Sequence, residues 1–162
     1  MNQIERNALI ENYGRAYELF TKALKKYPEG MWTFKPAPEK WSIRQIIIHL
    51  ADSEANSYFR CRRFIAEPGS KVLGYNQDRW ADTLFCNEQN TADALELFRL
   101  LRKMSFDLIK NLPEEYWSRT VMHEVSGEMT MQRWLEIYEE HIPKHIGQME
   151  RVFEAWKQLN GN

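Results

Sequence analysis

Cysteine is scarce in this chain: Cys61 and Cys86 are the two among 162 residues. Two thiols make no disulfide scaffold, and their spacing matches no zinc motif. The composition therefore points to a reducing, cytoplasmic setting. An excess of one charge is also missing. The chain has 22 basic and 23 acidic residues, for a net charge of -1. That balance leaves no electrostatic footprint for nucleic acid or a membrane surface. No apolar run approaches the roughly 20 residues that span a bilayer. The opening Met1-Asn2-Gln3-Ile4-Glu5-Arg6 has no apolar h-region, so no signal peptide is expected. Short repeats and low-complexity stretches are absent as well. What is present is core material: 43% of residues are hydrophobic and 13% aromatic. The length suits one domain, residues 1–162.

Periodicity divides that material into helices. Ile10, Tyr13, Tyr17, Phe20, Leu24 and Tyr27 recur at steps of three and four, which predicts a helix over about residues 3–27. Tyr27-Pro28-Glu29-Gly30 ends it, and a loop follows through Lys40. Ser42 with Gln45 forms a capping box for the second helix, and Trp41 can staple onto Ile46. This helix runs to about Ala66, where Glu67-Pro68-Gly69-Ser70 stops it. Residues 71–90 are weakly patterned, with one short helix over Arg79–Phe85. A connection of that length is uncommon unless it covers a site. The third long helix is capped by Thr91 and carries Leu95, Phe98, Leu101, Ser105, Leu108 and Leu112. Pro113 ends it. Glu114–Met129 reads as irregular, with Gly127 in a turn or short hairpin. Thr130 caps a last helix whose stripe is Met131, Trp134, Tyr138, His141, His145, Met149, Val152 and Trp156. Four long amphipathic helices without convincing strands predict an all-α four-helix bundle. The long second connection permits a parallel neighbour pair.

Histidine is where chemistry enters. His141 and His145 lie four apart on the buried stripe of the last helix. That spacing puts both imidazoles on one face, one turn apart, where they can ligate one metal ion. The competing reading is a pair of hydrogen-bonded core histidines. It is costly, because each ring brings a donor and an acceptor. His49, in the second helix, is the obvious third donor. The pair lacks the Glu of H-E-x-x-H, so it is not a zincin signature. Ile46, Thr120, Tyr138 and Ile142 stand three before the histidines, so E-x-x-H, the mark of di-iron bundles, is absent too. Pro143 should kink the helix between the two rings. His123 reads as an exposed loop histidine. Candidates for a general base are Asp52, Glu54 and Tyr138. Ser53, Asn56 and Arg60 continue the His49 stripe and could line a pocket or face water, while Tyr75, Asp78 and Trp80 could cover the site as a lid.

Four motifs now align. They are Lys40-Trp41-Ser42-Ile43-Arg44-Gln45 leading to His49-Leu50-Ala51-Asp52-Ser53-Glu54; Gly74-Tyr75-Asn76-Gln77-Asp78-Arg79-Trp80-Ala81; Leu112-Pro113-Glu114-Glu115-Tyr116-Trp117; and Tyr138-Glu139-Glu140-His141 with His145-Ile146-Gly147-Gln148. In this order, over roughly residues 35–150, the chain resembles the DinB/YfiT-like superfamily of bacterial metal-binding four-helix bundles. The resemblance implies an up-down-down-up bundle with the long connection between helices 2 and 3. It implies one divalent metal ion (zinc, nickel, iron or manganese) on His49, His141 and His145. It also implies a small-molecule substrate and a homodimer. The chemistry it implies is thiol-dependent S-transfer, with a low-molecular-weight thiol as cosubstrate, or hydrolysis. The chain departs from the frequent pattern of adjacent histidines by placing Pro143-Lys144 before His145. A non-catalytic metal-binding bundle and a metal-free interaction bundle are the alternatives.

Overall fold

The computed structural model describes residues 2–161, so Met1 and Asn162, the ends of the expected domain, lie outside the described residues. Four long helices form the body: α1 (Gln3–Leu24), α2 (Ile43–Ala66), α4 (Thr91–Ile109) and α5 (Met131–Asn160). A short α3 (Gln77–Thr83) lies in the second connection. The caps explain where the helices start. Ser42 and Gln45 bond reciprocally, at 3.1 Å from the Gln45 N–H and 2.9 Å from the Ser42 N–H, as a capping box requires. Thr130 Oγ1 accepts from the Arg133 N–H at 3.1 Å and opens α5. The first helix ends at Leu24, a turn earlier than its apolar pattern, and α4 is capped by Asn90 where Thr91 was expected. The short helix begins at Gln77, two residues before the expected start.

Pairings between helices fix their directions. Arg6 bonds Gln132, Asn12 bonds Glu139 and Tyr27 bonds Glu150, so α1 and α5 rise together. Arg44 reaches the Cys86 carbonyl, just before α4, and Glu54 reaches Arg102, so α2 and α4 also run parallel. Gly14 faces Phe106 while Phe20 faces Phe98, so α1 opposes α4. The order is up-down-down-up. Gly14 permits the close α1–α4 approach, since a Cβ there would fall 2.7 Å from the Phe106 ring.

A small sheet joins the two long connections. β2 (Thr120–His123) and β3 (Gly127–Thr130) form an antiparallel hairpin, and β1 (Lys71–Val72) lies parallel to β2 with Lys71 opposite Met122. Gly127 turns the hairpin with φ +73°, a conformation glycine adopts without strain. The hairpin was expected as a possibility, but the third strand was not: two residues are too few to show alternation. His123 is a correction. It lies on β2 and is 9% exposed, and its Nδ1 accepts from the N–H groups of Val125 and Ser126, both at 3.2 Å.

The core has two apolar clusters. One gathers Phe20, Ile46, Ile47, Leu50, Phe98, Ile142 and Met149. The other gathers Tyr13, Phe64, Trp117, Trp134 and Leu135. Between them Arg102 clamps Glu54, with its guanidinium 4.0 Å from the Tyr13 ring centroid and 5.5 Å from that of Phe98. The α4 stripe is therefore rotated from its expected face. Arg102 is inside, while Leu108 is 38% exposed. Among the described residues no helix is long and apolar enough to cross a membrane.

Candidate metal centre

Antiparallel α2 and α5 meet at the seam where His49 faces His141 and His145. The Nε2 atoms of His49 and His141 are 3.3 Å apart, and those of His141 and His145 are 3.0 Å apart. The donor atoms of this trio all lie within 4.8 Å of one another. Two nitrogens bound to one first-row ion at about 2.0–2.1 Å are separated by roughly 2.9–3.4 Å. The 3.3 and 3.0 Å spacings about His141 fit that range.

Electrostatics favour the same use. Burial, then the His145 charge, pushes the His49 pKa down to about 3. Burial pushes His145 down to about 4, against the pull of Gln148. His141 is driven well below its ordinary value by burial and by the other two rings. All three imidazoles are neutral at neutral pH, with lone pairs to share. His145 Nδ1 donates to Gln148 Oε1 at 2.9 Å, which fixes the tautomer that leaves Nε2 bare. Hydrogen bonds alone satisfy the cluster poorly. A proton on His141 Nε2 would serve its neighbours, but then Nδ1, buried and without a partner, would have no donor. A metal ion resolves the convergence of three lone pairs.

Trp41 braces the cluster from the start of α2. Its indole stacks on His145 with centroids 6.0 Å apart and meets His49 edge-on at 4.8 Å. Asp52, one turn beyond His49, is half-buried, and its carboxylate has no hydrogen-bond or ion-pair partner among the described residues. Desolvation raises its pKa. Tyr138 presents its ring edge to His141 at 5.9 Å, and Arg60 Nη1 donates to its hydroxyl at 3.2 Å. Arg60 also ties down the Leu73 carbonyl at 2.7 Å. Buried Ser53 lies beside both Tyr75 and Tyr138 and pulls each phenol pKa down against the larger effect of desolvation. The Tyr75 ring lies 6.5 Å from His49 and meets the Trp80 ring, tilted by 46°, at 4.6 Å. Desolvation pushes the Tyr75 phenol up to about 12, so it is a neutral donor.

Two candidates are not brought to the centre. Glu54, fully buried, is committed to Arg102. Asn56 donates to the Asp52 carbonyl at 2.9 Å, a bond within its own helix. Two contributors escaped the sequence: Trp41 as a brace and Gln148 as the partner of His145. Gln148 was recoverable, because three residues along a helix places it beside His145.

The fold and site define a four-helix bundle with a three-histidine cluster on an antiparallel seam. A family model described as the DinB superfamily matches residues 12–149, and the chain belongs to that superfamily. Its relatives include a "putative metal-dependent hydrolase" of Oceanobacillus iheyensis, 31% identical over 106 residues, which cover 65% of this chain and 61% of that protein. YfiT of Bacillus subtilis, with the same descriptive name, is 27% identical over 107 residues, covering 65% of this chain and 60% of YfiT. A Bacillus cereus relative so named is 26% identical over 140 residues, 86% of this chain and 79% of its own. The chain thus matches about three fifths of the length of the first two. The solved structure of YfiT superposes with a TM-score of 0.87 at 19% identity, covering 99% of this chain and 90% of YfiT. That likeness shows the shared fold.

Proposed function

We propose that the chain is a metal-dependent hydrolase of a small molecule, with one divalent ion (zinc, nickel, iron or manganese) held by His49, His141 and His145. The convergence of the three Nε2 atoms carries this reading, and the hydrolase names of the relatives support it. Three protein ligands leave a coordination position open, and the ion supplies the Lewis acidity that makes a neutral-pH nucleophile of a water or thiol. The remaining work falls to the chain. Gln148 and Trp41 hold the rings in place. Asp52, unpaired and with a raised pKa, takes the proton as general base. Tyr75 and Tyr138, both beside Ser53, donate to substrate oxygen. No side-chain nucleophile is needed, and burial raises both the Cys61 and the Cys86 thiol.

Thiol-dependent S-transfer is the second reading. It uses the same open position, and because the chain's own thiols are buried the thiol arrives as a cosubstrate. The free cysteines suit a cytoplasmic setting, and the exposed Leu97, Leu100, Met104 and Leu108 of α4 suit a homodimer. Elemental analysis of protein purified without chelator tests the common core. About one equivalent of metal is expected in the wild type, and none in His49→Ala or His145→Ala. No metal in the wild type after soaking with zinc, nickel or manganese would sink both readings. Ester and amide substrates, assayed with and without added thiol, then separate hydrolysis from transfer.

A further inference from the structure

One turn beyond His145, α5 and the loop before α2 enclose a cleft of about 340 Å³. Pro36, Trp41 and Val152 give it an apolar wall, and Lys40, Gln148 and Arg151 line the rest. Its charge is one-sided. Neither the Lys40 ammonium nor the Arg151 guanidinium has an ion-pair or hydrogen-bond partner among the described residues. The acidic side chains nearby on α5 are engaged elsewhere: Glu150 accepts from the Tyr27 hydroxyl at 2.7 Å, and Glu154 pairs with Lys157 at 2.6 Å. Gln148 spends its carbonyl oxygen on His145 and keeps its amide N–H groups free. The Trp41 indole N–H is likewise without a partner. The Arg151 guanidinium folds back over Gly147, where a Cβ would lie 3.6 Å from Nη1. The cleft therefore offers two cations, further N–H donors and no carboxylate.

We propose that this cleft is an anion-binding subsite that holds the carboxylate or phosphate group of the molecule acted on at the histidine centre. This rests on the metalloenzyme reading for its purpose, though not for its chemistry. Two residues belong to both places: Trp41 stacks on His145 and walls the cleft, and Gln148 bonds His145 and lines it. A helix rise of 1.5 Å per residue puts Arg151 about 9 Å along α5 from His145. A substrate that spans the two carries its anionic group some five or six bonds from the reacting atom. Arginine and lysine supply charge-assisted hydrogen bonds to such groups, and the apolar wall accepts the chain between.

The test is titration of succinate, and separately inorganic phosphate, at low ionic strength. Binding is read by calorimetry and by the Trp41 indole and Gln148 amide resonances. Saturable binding with shifts at both resonances is expected, and the tighter of the two probes identifies the group. Succinamide, uncharged, is expected not to bind. Affinity should fall at least about threefold in Lys40→Ala and in Arg151→Ala and at least about tenfold in the double variant. Both side chains are exposed, and unchanged thermal midpoints would show that the variants fold. His49→Ala should keep the wild-type affinity within about twofold, so the subsite stands even if the protein proves to hold no metal. Absence of saturable binding for both probes overturns the proposal. So does affinity unchanged in the double variant, or affinity lost in His49→Ala alone, which would put the anion at the histidines.

Discussion

At the scale of the residue, the centre depends on how each imidazole is turned. His145 has a partner for its outer nitrogen, Gln148 at 2.9 Å. That bond selects the tautomer and holds the ring against Trp41. Outer partners of metal-bound histidines typically matter by 10–100-fold in affinity. Gln148→Leu is therefore expected to weaken metal binding by about that factor, measured by competition with a chromogenic chelator. Gln148→Glu keeps an acceptor and should retain the affinity. Equal loss in both variants would mean that Gln148 serves packing alone. The histidines were legible because helical spacing is local information: four residues apart on an apolar stripe is a geometric statement. The turn of each ring, and the brace from Trp41, depend on contacts between α2 and α5 and carry no local signature.

At the scale of the element, the buried pair Glu54–Arg102 is what the sequence concealed. The partners are 48 positions apart, and the sequence offers Glu54 as a candidate base at the metal without pointing to Arg102 at all. In the structure both side chains are 1% exposed. Arg102 Nη1 also donates to the carbonyl oxygens of Tyr13 at 3.4 Å and Tyr138 at 3.2 Å, so one guanidinium touches α1, α2 and α5 from α4. Desolvation raises the Glu54 pKa, and Arg102 pulls it back down. Removing one partner leaves an uncompensated charge inside the bundle. Glu54→Ala is expected to cost about 3–5 kcal/mol in urea unfolding. The double change Glu54→Leu with Arg102→Met removes both charges and should recover most of that loss, because an apolar pair of similar volume is often neutral or better. A loss in the double variant as large as in the single would show that the carbonyl bonds of Arg102, and not its charge pairing, hold the helices in register. By contrast, the helix caps were legible to within a residue or two, since a cap lies within one turn of what it caps. The three-stranded sheet was only half legible, because β1 exists through its pairing with β2 and shows no pattern of its own.

At the scale of the whole molecule, the outward face of α4 is the feature the bundle does not consume. Leu97, Leu100, Met104 and Leu108 are 45%, 42%, 50% and 38% exposed and follow one another at steps of three and four. They form one stripe along the helix, on the side away from Phe98 and Arg102. The charges that flank it are already matched: Glu96 pairs with Arg99, and Asp107 with Lys103 and Lys110. A second copy set antiparallel across a two-fold axis would place Leu97 near the partner copy's end of the stripe and Met104 near its middle. No like charges would be forced together. Such a self-complementary, apolar contact is what a cyclic dimer requires. It would leave the histidine seam, between α2 and α5, open to substrate. Light scattering on the purified protein should give about twice the chain mass of 19.4 kDa. Leu100→Asp with Met104→Asp should shift it to monomer, because like charges would then face each other across the axis, while metal content stays at one equivalent, since neither residue approaches the centre. A variant that remains dimeric would move the interface elsewhere, and a wild type that runs as monomer would leave the stripe to a different partner. Dimerisation through α4 would also join the two copies through the helix that carries Arg102. The buried pair would then be the link between the interface and the two helices that present the histidines.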